Sequence, residues 1–146
     1  MPEFDRDTVL SLLSQLRRSL DRLDHLSRLQ EPDFMKDADK IGSAKYHFIV
    51  AIESCIDLSN HVISRNRLRA PEDYGDTFRV LAESNILPTP FADELVAMAK
   101  FRNRLVHLYW EVSDRQVHEL MKNRLPDFSR FLKFLSDYLE WENLQA

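Results

Sequence analysis

Apolar side chains recur at intervals of three and four residues along most of this chain, the spacing that places them on one face of an α-helix. The first stripe predicts a helix from about Asp7 to Leu29 and consists of Leu10, Leu13, Leu16, Leu20, Leu23 and Leu26. The segment Glu31-Pro32-Asp33 breaks this pattern, and Asp33 is predicted to cap the helix that follows. That second helix is predicted to be long, beginning at Phe34 or Asp37 and ending at Ser64.

Prolines and a capping serine delimit the remaining predicted helices. Pro71 is well placed near the start of a short third helix, and Pro88-Thr89-Pro90 opens a fourth with a core stripe of Leu95, Met98, Ala99 and Leu105. Ser113 is predicted to cap a shorter helix. Pro126 starts a last helix with a wide apolar face formed by Phe128, Phe131, Leu132, Leu135, Leu139 and Trp141. The pattern predicts an all-α bundle with short connections.

Composition supports this fold class and narrows the class of protein. The length of 146 residues favours one domain, spanning residues 1–146. Only 2 glycines occur, against a usual share of roughly 7%, which argues for long helices rather than turn-rich strands. The single Cys55 excludes an intramolecular disulfide and fits a reducing compartment. No segment approaches the roughly 18 apolar residues of a membrane span, so we expect a cytoplasmic protein.

Candidate chemistry is concentrated in the segment 101–110, at the end of the fourth predicted helix. Arginine can hold a phosphate through two parallel hydrogen bonds, and histidine can move a proton near neutral pH. On a helical wheel Asn103 and His107 lie about 40° apart, so Asn103 is expected to orient the His107 ring. Arg102 and Tyr109 lie within about 20°, two turns apart. Arg102 and His107 are about 140° apart, which leaves three ways to unite them: a wrapping arginine, a distorted helix or a second copy of the chain.

These residue types suit cleavage of RNA, in which a 2′-hydroxyl lies next to the scissile phosphate. His107 can take or give a proton, and Arg102 can stabilise the charge that builds on the phosphoryl oxygens. No metal is required if the 2′-oxygen is the nucleophile, and the chain lacks HExxH and CxxC motifs, so we expect neither a metal nor a cofactor. The chain also lacks Walker, GxGxxG and GxSxG motifs, which argues against nucleotide hydrolysis and serine hydrolysis. An arginine and a histidine in these positions are equally typical of a helix C-terminus, where cations favour the negative end of the dipole.

Two further sets of residues remain open to more than one interpretation. Glu53, Asp57 and His61 form a polar stripe on the second helix, which is either a solvated face or a set of cleft residues or metal ligands. The net charge of −4 disfavours a broad nucleic-acid-coating surface. Local basic clusters are nevertheless candidates for RNA binding, or for the cationic ends of helices, and they consist of Arg65, Arg67, Arg69, Lys100 and Arg104.

The segment from Arg102 to Val112 closely resembles the R-x4-H-x-Y signature of the HepT-like branch of HEPN-domain proteins, the toxins of HepT–MNT toxin–antitoxin modules. The order of the predicted helices is similar too, so the resemblance covers most of the chain. It implies a HEPN-type antiparallel bundle with a four-helix core plus short helices. It also implies a homodimer in which two motifs line one cleft.

The resemblance further implies a metal-independent ribonuclease with Arg102 and His107 as catalytic residues and Asn103 in support. It implies a partner, a minimal nucleotidyltransferase antitoxin that transfers AMP from ATP to the motif tyrosine, here Tyr109, and so silences the toxin. A second hypothesis makes the chain a non-catalytic partner or substrate-binding subunit of that transferase. In that case the arginine and histidine bind a nucleotide phosphate or stabilise the interface.

Overall fold

A computed structural model describes residues 2–141, and within that range the regular elements are helical throughout. Seven α-helices follow one another: α1 (Arg6–Ser27), α2 (Glu31–Met35), α3 (Ala38–Arg65), α4 (Tyr74–Glu83), α5 (Thr89–His107), α6 (Asp114–Asn123) and α7 (Leu125–Leu139). One 3-10 turn, Tyr109–Glu111, connects α5 to α6. The all-α prediction is confirmed. None of the helices within this range combines the length and apolar character that crossing a bilayer requires.

Polar side chains and prolines begin the helices much as the sequence predicts. The Ser113 hydroxyl accepts a hydrogen bond from the Gln116 amide at 3.3 Å, which confirms it as the cap of α6. Prolines occupy the first turns of α5 and α7, where a missing N–H group leaves no donor unsatisfied. The third predicted helix begins at Tyr74 rather than near Pro71, because the Asp73 carboxylate accepts the Asp76 amide at 2.7 Å and sets the boundary there.

The predicted break after the first helix is present, but it lies at residues 28–30 rather than at Glu31-Pro32-Asp33. These residues form the first turn of α2, where Pro32 is tolerated because the early amides of a helix have no partner within the helix. The cap of the long helix α3 is therefore Asp37 rather than Asp33, and its carboxylate accepts the Lys40 amide at 3.2 Å. The sequence left this boundary between Phe34 and Asp37, and the structure places both residues before α3.

Helix α3 lies at the centre of the packing. Helix α1 runs along it, α4 and α5 pack on each other and on it, and α7 contacts α1 and α6. The apolar face predicted for the last helix is buried within the chain, where the Phe131 ring meets Phe78 edge-on at 6.1 Å between centroids. Cys55 is also buried in α3, and burial raises the pKa of its thiol, so it is a core residue rather than a nucleophile.

The segment between α3 and α4 is fixed to α4 by an ion-pair cluster. The Arg69 guanidinium donates to both carboxylate oxygens of Asp76, at 2.7 and 3.0 Å, and to both oxygens of Glu83 at 3.0 Å. The hydrogen bonds from Arg69 and the amide of Glu72 lower the pKa of Asp76 from 3.8 to about 2. This cluster holds the entry to α4, the helix that supplies one wall of the site described below.

We predict that Asp76→Asn lowers the melting temperature at pH 7 by several degrees and has little effect near pH 2. Because the folded-state pKa lies below the ordinary value, the stabilisation is fully present above about 3.8 and is lost as the pH falls through about 2. Thermal unfolding followed by circular dichroism across this range measures the difference. Asp21→Asn, at an exposed position on α1, is the control. A deficit that persists unchanged at pH 2 contradicts the prediction.

Candidate active site

The candidate motif lies where α5 ends. The amide of Leu108 donates to the carbonyl of Arg104 at 2.8 Å, and the backbone then leaves the helix, with Leu108 at φ −133° and ψ 42°. His107 is therefore the last helical residue, and Tyr109 begins the 3-10 turn. The prediction that Tyr109 and Arg102 lie on the same face of one helix is wrong, because α5 ends before Tyr109.

Arg102 and His107 line the same cleft within one chain. The cleft is open, has a volume of about 450 Å³, and is formed by Asp73, Tyr74, Arg102, Asn103 and His107. Arg102 extends from α5 toward α3 and α4, where its contacts lie, while His107 is exposed at the helix end. The two residues thus share a cleft although Arg102 turns toward α3 and α4, and the contribution of a second copy of the chain stays a prediction. Tyr109 is not among the residues that line this cleft.

The Arg102 guanidinium is held on three sides. Its Nε and Nη2 donate to Oε1 of Glu53 at 3.0 and 2.5 Å, and its Nη1 donates to Oδ1 of Asn103 at 3.0 Å. The Tyr74 ring lies beside it, 4.8 Å from the guanidinium carbon to the ring centroid. Only 12% of the Arg102 side chain is exposed. These contacts use three of the five N–H groups of a guanidinium and leave two for a ligand in the cleft.

Asn103 has a different partner from the one that the sequence predicts. Its side-chain oxygen accepts from Arg102, although the helical spacing favours His107. An amide oxygen one residue away can accept a hydrogen bond from the guanidinium because the arginine side chain is long. Asn103 thus helps to fix the Arg102 guanidinium, and the His107 ring is exposed at the end of the helix.

The polar stripe of α3 divides into three environments. Glu53 binds Arg102, and the sequence gives only a weak signal of that role because the same spacing describes a solvated face. Asp57 is an exposed residue whose carboxyl is influenced by both Glu53 and Arg102. Partial burial and then the negative charge of Glu53 raise the pKa of this carboxyl, whereas the positive charge of Arg102 lowers it. His61 is bound to the N-terminal segment, because its Nε2 accepts a hydrogen bond from the Asp5 amide at 2.9 Å. Burial and then the positive charge of Arg65 lower the pKa of the His61 ring.

Two residues that line the cleft, Asp73 and Tyr74, are not predicted from the sequence. Asp73 and Tyr74 follow a loop and begin α4, so no periodic pattern relates them to a motif some thirty residues later. Their position depends on how α4 packs against α5, which the sequence does not specify locally.

The predicted basic residues differ in availability. Arg65, Arg67 and Lys100 are exposed, and Arg104 is half-buried. Arg69 is the exception, because Asp76 and Glu83 take up its donors and offset its charge. That makes Arg69 a structural residue rather than a ligand for an RNA backbone.

The cleft can bind an anion and exchange a proton. Arg102 offers a guanidinium suited to phosphate, and His107 offers an imidazole at the same opening. Within residues 2–141 no group of three or more histidine, cysteine, aspartate or glutamate side chains is gathered in a way that holds a metal ion.

An all-α fold with an arginine and a histidine at one cleft defines a candidate acid–base site for a phosphate ester. The chain belongs to the HepT-like ribonuclease family, whose model, described as "Ribonuclease HepT-like", matches residues 16–135.

Three known proteins illustrate the relationship. The mRNA nuclease HepT of Shewanella oneidensis is 27% identical over 126 residues, which are 86% of this chain and 94% of the relative. The tRNA nuclease HepT of Aphanizomenon flos-aquae is 22% identical over 129 residues, 87% of this chain and 86% of the relative. The solved structure of the tri-AMPylated Shewanella oneidensis HEPN toxin in complex with MNT antitoxin is 26% identical, with a TM-score of 0.84, and covers 91% of this chain and 99% of that one.

We predict that the pKa of the Asp57 carboxyl responds to the charges of Glu53 and Arg102. Glu53→Gln lowers the pKa of Asp57 because a like charge is removed, whereas Arg102→Gln raises it because an opposite charge is lost. Titration followed by carboxyl ¹³C NMR measures both shifts. Asp127 on α7 is the internal control, since its pKa is raised by burial and answers to Arg124, Glu94 and Arg130 instead. Shifts of the opposite sign contradict this assignment of charges.

Proposed function

We propose that this chain is a metal-independent endoribonuclease and the toxin of a toxin–antitoxin module. The observation that carries the proposal is the cleft that Arg102 and His107 line together. The family membership and the two relatives described as mRNA and tRNA nucleases support RNA as the substrate.

The proposed reaction is an internal transfer at phosphorus. The 2′-oxygen attacks the adjacent phosphorus, the new P–O2′ bond forms as the P–O5′ bond breaks, and the 2′ proton passes to a base while the 5′-oxygen gains a proton. His107 is placed to carry one of these protons, because its ring is exposed at the cleft. Arg102 stabilises the negative charge that builds on the phosphoryl oxygens.

A homodimer is part of the proposal, because the reaction needs one group that takes a proton and one that gives a proton. In a single chain, the cleft is lined by one histidine, His107. Two chains with adjoining clefts supply two. Lys100, Arg104, Arg65 and Arg67 are proposed to contact the RNA backbone, which fits a chain whose net charge is −4 and whose positive potential is therefore local.

Silencing of the cleft by adenylylation is the third part of the proposal. The solved complex of an AMPylated HEPN toxin with MNT antitoxin supports a small nucleotidyltransferase as the partner. Tyr109 is the proposed acceptor, and 43% of this residue is exposed. An adenylate on Tyr109 adds bulk and negative charge close to His107, which opposes the entry of a second phosphate.

We predict that His107→Ala and Arg102→Gln each reduce RNA cleavage by at least about a hundredfold, the usual size of an acid–base or charge-stabilising contribution. Cleavage of total RNA by the wild-type chain persists in EDTA. His25→Ala, an exposed histidine at the end of α1, is the matched control and keeps full activity. Intact mass is recorded first, because an adenylylated preparation is inactive under this proposal.

The same variants separate this proposal from a non-catalytic role. A ribonuclease toxin requires that growth arrest by the wild-type chain disappears in His107→Ala. If the wild-type chain, free of modification, leaves RNA intact and His107→Ala arrests growth equally, the ribonuclease proposal fails. A transferase activity that depends on this chain then favours a partner subunit.

We predict that Tyr109→Phe keeps RNA cleavage and escapes silencing. The substitution removes only the hydroxyl, and Tyr109 does not line the cleft that holds Arg102 and His107. Cells that express Tyr109→Phe together with the nucleotidyltransferase should arrest, whereas cells with the wild-type chain should grow. Tyr46→Phe, at an exposed tyrosine on α3, is the control and should stay silenced. Growth of the Tyr109→Phe cells would contradict the assignment of Tyr109 and indicate that another residue is modified.

A further inference from the structure

A buried lysine lies beneath the tyrosine of the motif. Lys45 belongs to α3, and its side chain is only 6% exposed. Its ammonium lies 4.3 Å from the centroid of the Tyr109 ring. Nothing in the sequence pattern singles out Lys45, since it occupies an ordinary position in a long helix.

The charge of Lys45 is balanced by one carboxylate. The Lys45 ammonium is 2.9 Å from Oδ1 of Asp114, in the first turn of α6, and the Ser113 hydroxyl caps that turn. A buried ammonium is costly unless it is paired, so Asp114 makes this position tenable. The remaining face of the ammonium meets the π-face of Tyr109, which is an attractive contact when water is excluded. Lys45 thus joins α3, the 3-10 turn and α6 at one point.

The hydroxyl of Tyr109 lies over a helix position that has no side chain. A Cβ atom added at Gly42, one turn before Lys45 on α3, would be 4.0 Å from the Tyr109 hydroxyl oxygen, an ordinary van der Waals distance. This glycine is helical and has no positive φ, so its backbone does not require glycine. The missing side chain instead leaves open space beside the phenol oxygen.

We propose that Lys45, held by Asp114, is a positioning residue that clamps the Tyr109 ring and presents its hydroxyl over Gly42 for adenylyl transfer. This inference rests on the proposed function and names the device that makes Tyr109 the acceptor. Tyr46 and Tyr74 are at least as exposed as Tyr109, so exposure alone does not select Tyr109. The ammonium beneath the ring and the bare backbone beside the hydroxyl are what distinguish it.

The transfer that Lys45 supports is balanced without a further reactant. The Tyr109 oxygen attacks the α-phosphorus of ATP, a new O–P bond forms, and the bond between the α- and β-phosphates breaks to release pyrophosphate. The phenolic proton passes to solvent. A fixed positive charge under the ring favours the negative charge that builds on the phenol oxygen during the attack.

We predict that Lys45→Met slows adenylylation of Tyr109 about tenfold, the size expected for loss of a desolvated contact between a cation and an aromatic ring. The chain is stripped of any existing adenylate and incubated with ATP and its proposed partner, a small nucleotidyltransferase, and peptide mass spectrometry follows Tyr109. Lys45→Arg restores most of the rate, because a guanidinium can stack on the ring and pair with Asp114. Lys40→Met, on the same helix but exposed, is the matched control.

A second variant covers the case in which Lys45→Met fails to fold. Gly42→Ala slows the transfer because a methyl group occupies the space beside the hydroxyl, while its melting temperature stays equal or rises, since alanine favours helix more than glycine does. RNA cleavage by unmodified Gly42→Ala stays at the wild-type rate. The chain alone gives a further readout, because the Tyr109 ring should move the ε-proton NMR signals of Lys45 upfield.

The outcomes are distinguishable. Slow transfer in Lys45→Met and Gly42→Ala, recovery in Lys45→Arg and upfield Lys45 signals support the inference. Wild-type rates in both variants, with Tyr109 labelled, overturn the inference and leave the proposed function standing. A wild-type chain that cuts RNA but takes no label on Tyr109 overturns the silencing part of the proposed function and this inference with it.

Discussion

The contact between Arg102 and Glu53 is the interaction on which the candidate site depends. A guanidinium that is mostly withdrawn from water needs a partner, because an unpaired buried charge is strongly destabilising. Glu53 supplies that partner from α3, through one carboxylate oxygen that accepts from two nitrogen atoms of Arg102. Asn103 and the Tyr74 ring complete the surroundings. The arginine is therefore fixed before any ligand arrives, and its remaining donors have a defined place in the cleft.

This contact ties the site to the helical core. Phe101 and Leu105, on either side of Arg102 along α5, are buried, and the Phe101 ring meets Phe48 of α3 edge-on at 5.7 Å. The apolar residues fix the distance between α5 and α3, and that distance decides whether Arg102 can reach Glu53. Changes in the core between these helices thus act on the Arg102 guanidinium without altering the residues that line the cleft.

Local signals in the sequence predict most of the fold and part of the site. Caps and prolines act within one turn, so Ser113, Pro90 and Pro126 mark helix starts correctly. The site is harder because its decisive contacts are long-range. Glu53 and Arg102 are 49 residues apart, and the spacing of Glu53 on α3 also fits a solvated face. Tyr109 was misplaced for a different reason: a wheel assumes a continuous helix, and no glycine or proline near His107 announces that the helix ends there.

Because α5 ends at His107, the motif tyrosine lies apart from the arginine and the histidine, although all three occur within eight residues of sequence. Arg102 and His107 lie on the cleft, while Tyr109 turns away over Lys45 on the surface of α3. Under the proposed function, this separation lets a nucleotidyltransferase reach the tyrosine without entering the cleft that receives RNA. Only Leu108 separates His107 from the proposed acceptor, so an adenylate on Tyr109 would be close enough for its phosphate to compete for the donors of the same cleft. A tyrosine on the α5 face of Arg102 would instead have contacted the substrate itself, and its hydroxyl would have been shielded whenever RNA was bound.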